Sequence, residues 1–405
     1  MHPFNEKKPA ALSSEVLKVL ARVVSDRDLS GHALAQAVVN LSRLFTTARP
    51  SLPIRYLDDP NHAAAYHSYF LPVNLSKVQV LLDELPNDNS TEMPDRPMAV
   101  LDLGCGPGTG SLAMLDWLWH RSPERAKSVS VLAADASPTS LRDTERLWEA
   151  YCNEVGIPNI GLRCIEGNLE HPLKGDLGKQ IVRGGPYDLM IMANCLNELF
   201  PTAGDPPVER AAVVEQLLPF LAPHGTIIII EPALRQTTRA LHHVRNLLLK
   251  QSLCTVYSPC LHEAACPALD HPDDWCHEER PWQTPPAIAA LDQEVGFIKD
   301  ALKFSYLLLR TDGRTIVTRS PQTFRVVSEL RELKGEKRAW LCNETGRPEV
   351  GRLDRKASPH NAAVDSWHRG AIVQIERIVR KEKEGKVSPV GRIESDAAVE
   401  IVRPV

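Results

Sequence analysis

One run of glycines constrains the fold of this chain more than any other feature. An apolar segment that reaches Asp102 passes directly into a turn that contains Gly104, Gly106, Gly108 and Gly110. Glycine permits positive φ and lets the backbone approach a ligand closely at a strand-to-helix turn. The spacing differs from the G-x-G-x-x-G turn that places a pyrophosphate over a helix N-terminus. The run therefore predicts a strand, a ligand-binding turn and a helix in succession.

Strands alternate with helices along the next part of the chain. Helices are predicted after Gly110 and over Ser140–Val155, and strands over Met98–Leu103, Val129–Ala134, Gly161–Glu166, Tyr187–Ala193 and Gly225–Glu231. This alternation predicts an α/β fold, a Rossmann-like parallel sheet with helices on both faces. Residues 14–47 and 61–85 have helical periodicity, and the Pro- and Asn-rich residues 86–97 predict a linker.

Two further motifs follow the second and third predicted strands. Ala134-Asp135-Ala136 ends the second strand, and Glu166-Gly167-Asn168 follows the third. Together with the glycine run they resemble the first motif, the ribose-binding acid and the adenine-edge motif of class I methyltransferases. The resemblance implies that the ligand is S-adenosylmethionine, with Asp135 accepting both ribose hydroxyls. It implies cofactor contacts from Asp102, Gly104, Cys105, Gly106, Pro107, Gly108, Asp135, Ala136, Asn168 and Asn194.

The fourth strand delivers polar residues to the edge of the sheet where open α/β folds bind ligands. Asn194, Asn197 and Glu198 are the candidates for orienting a substrate, and they are equally suited to capping the helix that follows. The Asn/Asp-Pro-Pro-aromatic run of enzymes that methylate amino groups of nucleic acids is missing here. No catalytic residue is assigned, and methyl transfer remains an open question.

A segment that follows the sheet has a composition unlike a hydrophobic core. Between Leu248 and Pro286 the periodicity stops, and Cys260, Cys266 and Cys276 are spaced C-x5-C-x9-C with Cys342 farther on. Thiolates on short, Pro-rich loops suit a soft metal, which would stabilise a segment too polar to fold alone. The wide spacing favours an iron–sulfur cluster over zinc, although nearby histidines keep a Cys/His zinc site open.

The cysteine signature, placed after a methyltransferase-like core, is similar to one known family. Pro259-Cys260, His262, Cys266-Pro267 and Asp274-Trp275-Cys276-His277 resemble the mitochondrial small-ribosomal-subunit assembly factors of the methyltransferase-like class and their bacterial relatives. The resemblance implies a 4Fe-4S cluster on Cys260, Cys266, Cys276 and Cys342. It also implies contact with small-subunit ribosomal RNA and a role in maturation of that subunit.

Composition and charge narrow the class of protein further. With 43% hydrophobic and 24% charged residues among 405, the chain has the composition of a folded globular protein. No apolar run approaches the roughly 20 residues of a membrane span, and no secretory or transit signal is visible. We expect a cytoplasmic, bacterial protein without membrane or DNA partners. Residues 313–405 hold 19 Lys and Arg against 13 Asp and Glu, whereas the whole chain carries −4, so the C-terminal region is the basic part.

These observations predict four regions. They are an N-terminal helical region (1–95), an S-adenosylmethionine-binding domain (96–250), a Cys-rich iron–sulfur insert (251–290), and the remaining sheet strands with a basic, β-rich C-terminal region (291–405). The leading hypothesis is a methyltransferase-like protein that acts on ribosomal RNA of the small subunit. A non-catalytic RNA-binding scaffold and a small-molecule methyltransferase with a structural zinc are the alternatives.

Overall fold

The computed structural model describes residues 9–25, 29, 31–53, 55–86, 96–159, 161–383 and 386–405. Most of the predicted linker, residues 86–97, lies outside the described residues. The helices are α1 Ser14–Ser25, α2 Gly31–Phe45, α3 Pro60–Ala65, α4 Leu71–Leu82, α5 Thr109–Arg121, α6 Pro123–Ala126, α7 Pro138–Val155, α8 Gly175–Gly184, α9 Pro206–Leu217, α10 Arg235–Lys250 and α11 Pro286–Val295. Short 3-10 turns and one π-helical turn, Tyr66–Phe70, connect them.

The described strands form two large sheets and one short antiparallel pair, which consists of the fourteenth and fifteenth strands. They are β1 Ala99–Leu103, β2 Ser130–Asp135, β3 Leu162–Glu166, β4 Tyr187–Ala193, β5 Leu221–Pro232, β6 Thr255–Ser258, β7 Glu278–Pro281, β8 Ala301–Arg310, β9 Thr323–Val326, β10 Arg331–Leu333, β11 Glu336–Cys342, β12 Glu349–Leu353, β13 Ile372–Ile375, β14 Glu382–Lys383, β15 Lys386–Val387, β16 Val390–Ile393 and β17 Val399–Arg403.

The first sheet has the order β3-β2-β1-β4-β5-β8-β6, and β7 pairs with β8. Strands β1 to β5 are parallel, which confirms the predicted α/β class, but β8 runs antiparallel to β5, β6 and β7, so the whole sheet is mixed. The chain order reverses between β1 and β4. That reversal opens a crevice at the carboxyl edge of the parallel strands.

Helix α7 shows why the predicted helices form where they do. The Ser137 hydroxyl accepts from the Ser140 backbone N–H, Pro138 occupies the first helical position, and Gly156 ends the helix at φ 72°. This capping satisfies backbone groups that an α-helix leaves unpaired at its ends. Between the caps, Leu147 and Tyr151 lie one helical turn apart on a buried face of the helix.

The second sheet forms most of the C-terminal region. Its order is β16-β12-β11-β9-β13-β17, with β10 paired to β11, around a separate apolar core that includes Trp367. The β-branched run Thr315–Thr318 also predicts a short strand from the sequence, and this prediction is wrong. The Thr315 hydroxyl donates to the Val317 carbonyl and the Ile316 N–H donates to the Tyr257 carbonyl, so this segment bonds as a loop instead of joining a ladder.

Candidate functional site

The glycine loop between β1 and α5 contains three residues with positive φ, namely Gly104, Gly106 and Gly108. A Cβ on Gly104 would lie 2.3 Å from the Cys195 Cβ, and one on Gly108 would lie 3.0 Å from the Thr144 side chain. A Cβ on Gly106 would meet nothing within 4 Å. Gly104 and Gly108 therefore leave no room for a side chain, because Cys195 and Thr144 pack against them. At Gly106 the loop is open to a ligand.

Asp102 supports this loop from inside the protein. Its side chain is 1% exposed, and Oδ2 accepts hydrogen bonds from the N–H and the hydroxyl of Ser111, each at 2.7 Å. Burial raises the pKa of Asp102 to about 6. The carboxyl therefore holds the first turn of α5, where the unpaired N–H groups and the helix dipole favour an acceptor.

Asp135 ends β2 on the open side of the loop. Its Oδ2 accepts from the Gly106 N–H and its Oδ1 accepts from the Ser137 N–H, both at 2.9 Å. Each oxygen thus keeps one lone pair for another donor. Burial raises the pKa of Asp135, and these backbone bonds oppose that shift. Of the other predicted contacts, Cys105 is buried, Ala136 is partly exposed, and the exposed Asn168 accepts from the Glu170 N–H.

The end of β4 faces the same crevice. Asn194 has φ 62°, and its N–H donates to the Ile230 carbonyl. The Asn197 amide donates to the Asn194 carbonyl, and the Asn197 N–H donates to Glu231 Oε1. Two of the three catalytic candidates therefore make local hydrogen bonds that shape the turn.

Glu198, the third candidate, faces a cation that the motifs do not predict. Its carboxylate lies 3.9 Å from the Arg49 guanidinium, and about a third of its side chain is exposed. Burial raises its pKa to about 7, while Arg49 opposes the shift. Tyr56 lies close enough to Glu198 and Asp135 for their charges to raise its pKa further than burial does alone.

The N-terminal region contacts this crevice through residues that no sequence motif predicts. Arg55 forms an ion pair with Glu166 at 2.8 Å, and Asp58 accepts from the Ser137 hydroxyl at 2.7 Å. Glu231 is a residue that the sequence could have identified. It is an acid near the end of the apolar strand β5, which is the same signal that identified Asp135 at the end of β2. Glu231 is 1% exposed and burial raises its pKa to about 8.

The four cysteines predicted to act together line one cavity. Cys260, Cys266, Cys276 and Cys342 surround it with His242, His262 and His277. Cys342 comes from β11 of the second sheet, and its Sγ lies 3.6 Å from His262 Nε2. All nine cysteines are free thiols, and burial raises the pKa of Cys266 to about 11. Cys254, a further thiol of the segment, is buried in the core of the first sheet.

The three histidines of this cavity each have a nitrogen atom without a partner. Nδ1 of His242, Nδ1 of His262 and Nδ1 of His277 are buried and make no hydrogen bond. Across the described residues, no three His, Cys, Asp or Glu side chains are grouped so that they could hold a metal ion as they stand. The metal-binding character of the insert is not shown and stays a prediction.

A buried network of charges lies beside the cysteine cavity. Glu278 on β7 pairs with Arg325 on β9 at 2.9 Å and with Arg280 at 3.1 Å, and Arg280 also pairs with Glu84. Arg325 is the register partner of Cys342 in the second sheet. The network therefore joins the strand that follows Cys276 to the strand beside Cys342.

Comparison with known proteins identifies the family. The model of the family described as mitochondrial small ribosomal subunit Rsm22 matches residues 60–356. The chain belongs to the Rsm22 family. The family resemblance that the glycine and cysteine motifs indicated is thereby confirmed. No curated protein matches the chain.

Solved methyltransferases are similar in structure to parts of this Rsm22-family chain. The CcbJ methyltransferase from Streptomyces caelestis is 20% identical over 39% of this chain and 49% of that one, with a TM-score of 0.27. An O-methyltransferase family protein from Burkholderia thailandensis is 16% identical over 74% and 72%, with a TM-score of 0.31. The chain thus spans about half the length of CcbJ. Within the described parts of the chain, no helix has the length and apolar character needed to cross a bilayer.

Proposed function

We propose that this Rsm22-family protein binds S-adenosylmethionine and acts in maturation of the small ribosomal subunit, with a 4Fe-4S cluster held by its four clustered cysteines. One observation carries the cofactor assignment. The open face of Gly106 lies beside a carboxylate, Asp135, at the point where the strand order of the parallel sheet reverses. Ligands of open α/β sheets bind at such a point.

Asp135 fits the ribose of this cofactor. Each of its oxygens accepts one backbone hydrogen bond and has one lone pair left, so that two adjacent hydroxyls can donate to it. Gly106 leaves room for the cofactor beside the loop, and Asn194 stands at the end of the neighbouring strand β4. We assign Asp102 a supporting role, because it is buried and already bonded to Ser111.

Calorimetric titration with S-adenosylmethionine tests this site. We expect D135N to bind at least about 10-fold more weakly, because it loses a charged acceptor that contributes about 1.5–3 kcal/mol per hydrogen bond. D176N, which changes an exposed carboxylate on α8, is the control and should bind like the unaltered protein. Thermal unfolding checks that both variants are folded. Equal affinity of D135N and the unaltered protein would contradict the assignment.

The cysteine cavity fits a sulfur-ligated group by the chemistry of its donors. Four free thiols line a single cavity, together with three buried imidazole nitrogens that lack partners. Bound there, the cluster would supply the covalent links that a polar segment needs in order to fold. Cys260, Cys266 and Cys276 would hold it from the insert and Cys342 from β11.

Anaerobic purification with iron, sulfide and zinc analysis tests the cluster. We expect iron and acid-labile sulfide in equal amounts and a broad visible absorption band. C342S should reduce the iron content, whereas C254S, which changes a thiol outside the cavity, should leave it unchanged. Zinc without sulfide in the unaltered protein would instead favour the structural zinc site.

The ribosomal role rests on the family and on charge. The Rsm22 family description names the mitochondrial small ribosomal subunit, and the basic excess of residues 313–405 suits RNA phosphates. We expect the protein to co-sediment with small ribosomal subunits. Failure to do so, by protein that retains its cofactor, would contradict this role and favour a small-molecule methyltransferase.

A non-catalytic scaffold is the second candidate function. It is favoured by the side-chain amide of Asn197, which donates to the Asn194 carbonyl, so one of the three groups that could orient a methyl acceptor is already engaged in shaping the turn. Isolated small subunits incubated with methyl-labelled S-adenosylmethionine distinguish the two functions. Label that enters the RNA and is reduced by D135N supports methyl transfer, whereas binding without label supports the scaffold.

A further inference from the structure

A guanidinium that is fully enclosed by protein lies next to the cysteine cavity, where it donates to the sulfur of Cys260. Arg245 lies on α10, its exposed fraction is 0%, and it is among the largest completely buried side chains. No carboxylate of the described residues lies within ion-pair distance of it. Burying an isolated charge is very costly unless an opposite charge compensates it. Arg245 therefore requires an anionic partner that is not an acid side chain.

The hydrogen bonds of Arg245 show which groups surround the charge. Nε donates to Cys260 Sγ at 3.2 Å, Nη2 donates to the His262 carbonyl at 2.5 Å, and Nη1 donates to the Ala264 carbonyl at 2.8 Å. Nη1 also donates to Asn246 Oδ1, which in turn accepts from the Cys266 N–H. The guanidinium therefore spans the whole loop between the first two cysteines of the cavity.

Sulfur atoms are the groups near Arg245 that can carry negative charge. Cys260 Sγ accepts the Nε–H hydrogen bond at 3.2 Å, and Cys266 and Cys342 line the same cavity as Cys260. Thiols are neutral, so the charge of Arg245 is compensated only when these sulfurs are thiolates. Sulfur that is bound to a metal cluster has that character.

We infer that Arg245 is the positioning and charge-compensating residue of the cysteine site. This rests on the proposed cluster. The Nε–H group donates to the sulfur of Cys260, and the two Nη groups fix the loop that carries Cys260 and Cys266. Hydrogen bonds to ligating sulfur set the reduction potential of iron–sulfur clusters, and an added positive charge favours the reduced, more negative state. Arg245 thus makes the cluster both better retained and easier to reduce.

Arg239 provides a matched control on the same helix. Its guanidinium donates to the carbonyl groups of Ala268, His271 and Asp274, so it also ties α10 to the cysteine segment. Among the described residues, its hydrogen bonds go to carbonyl groups and none goes to sulfur. A comparison of Arg245 with Arg239 therefore separates an effect on the sulfur site from a general effect on packing of the segment.

The experiment compares the loaded wild-type protein with R245M, R245K and R239M, all prepared anaerobically. Iron and sulfide content, the rate of iron loss to a chelator, and the midpoint potential are measured. We expect R245M to lose iron about 10-fold faster, the lower end of the effect of removing a partner of a metal ligand. Its potential should be more negative than that of the wild type. R239M should match the wild type in both.

R245K keeps the charge but lacks the Nε–H group and the planar fork. We expect its potential to lie between those of the wild type and R245M, and this variant carries the test should R245M fail to fold. If the wild-type protein loads iron and sulfide, and R245M and R245K match it in iron retention and midpoint potential, the role of Arg245 is overturned and the proposed cluster is not. A wild-type protein that takes up neither iron nor sulfide overturns the cluster and this inference together.

Discussion

Gly104 and Gly106 lie two residues apart in one loop, yet the structure gives them different reasons for being glycine. Both have positive φ, but a side chain on Gly104 would collide with Cys195, whereas one on Gly106 would enter open space. At the scale of the single residue, the loop thus separates a packing requirement from a ligand-binding requirement. Substitution by alanine distinguishes them.

We expect G104A to destabilise the protein much more than G106A. Both substitutions place a Cβ in the left-handed region, at a cost of about 1–2 kcal/mol, and G104A adds the collision with Cys195. Thermal unfolding measures the difference in stability, and calorimetric titration measures binding of S-adenosylmethionine. G106A should remain folded and bind the cofactor more weakly. Equal unfolding temperatures of the two variants would contradict this explanation.

Asp102 gives the stability of the protein a dependence on pH. Its pKa is about 6 in the folded protein, above the ordinary value of 3.8, so its contribution is present below pH 4 and is lost as the pH rises through 6. We expect D102N, which cannot ionise, to gain in stability relative to the wild type across this window. The gain is on the order of 3 kcal/mol, from about two pKa units.

Urea unfolding of both proteins at several pH values between 4 and 7 measures this relative gain. S111A is a useful companion variant, because it removes the hydroxyl that donates to Asp102 without removing the ionisable group. A stability difference between D102N and wild type that is constant with pH would show that Asp102 does not titrate in this window.

At the scale of elements, the contact between the two sheets depends on a buried ion network. Glu278 on β7 accepts from Arg325 on β9, and both side chains are about 4% exposed. Breaking one member of a buried pair leaves the other charge uncompensated. This contact fixes β9, and with it the neighbouring β11, against the strand that follows Cys276.

We expect E278Q to lower the free energy of unfolding by about 3–5 kcal/mol, because Arg325 and Arg280 lose the charge they share. E279Q, one residue away on the opposite face of β7, changes a more exposed carboxylate and should have a much smaller effect. Urea unfolding measures both. A similar loss in both variants would show that the network contributes no special stability.

Sequence patterns identify local features of this architecture and miss distant ones. The glycine turn and Asp135 can be predicted, because a strand, a turn and a helix are close in sequence and each has its own signal. The contacts of Glu84 with Arg280 and of Asp58 with Ser137 join residues far apart in the chain, and no local signal announces them. The antiparallel β8 has an apolar pattern that a parallel buried strand shares, so periodicity alone does not give its direction.

At the scale of the whole molecule, charge is distributed unevenly along the chain, with a basic C-terminal region and an acidic remainder. The basic excess lies in residues 313–405, and Arg380 and Lys381 are exposed there. Binding of such a surface to RNA releases counterions, so its affinity falls steeply as salt increases. The acidic remainder of the chain has no such attraction.

We expect the double variant R380E/K381E to reduce co-sedimentation with small ribosomal subunits. The slope of log binding constant against log salt concentration should also become shallower, by about 0.7–0.9 for each RNA phosphate that the variant no longer neutralises. K179E/K250E, which changes two exposed lysines in the acidic part, is the control. Co-sedimentation at several salt concentrations gives both slopes. Identical slopes for the two double variants would place the RNA-binding surface elsewhere.

The position of Cys342 on a strand of the second sheet has a consequence for the order of events during synthesis. Three of the four clustered thiols leave the ribosome early, and the fourth follows only after β9 and most of β11 have been made. Under the proposed cluster, iron can be enclosed only once the C-terminal sheet has folded onto the first. Iron supply would then determine which newly made chains become finished molecules.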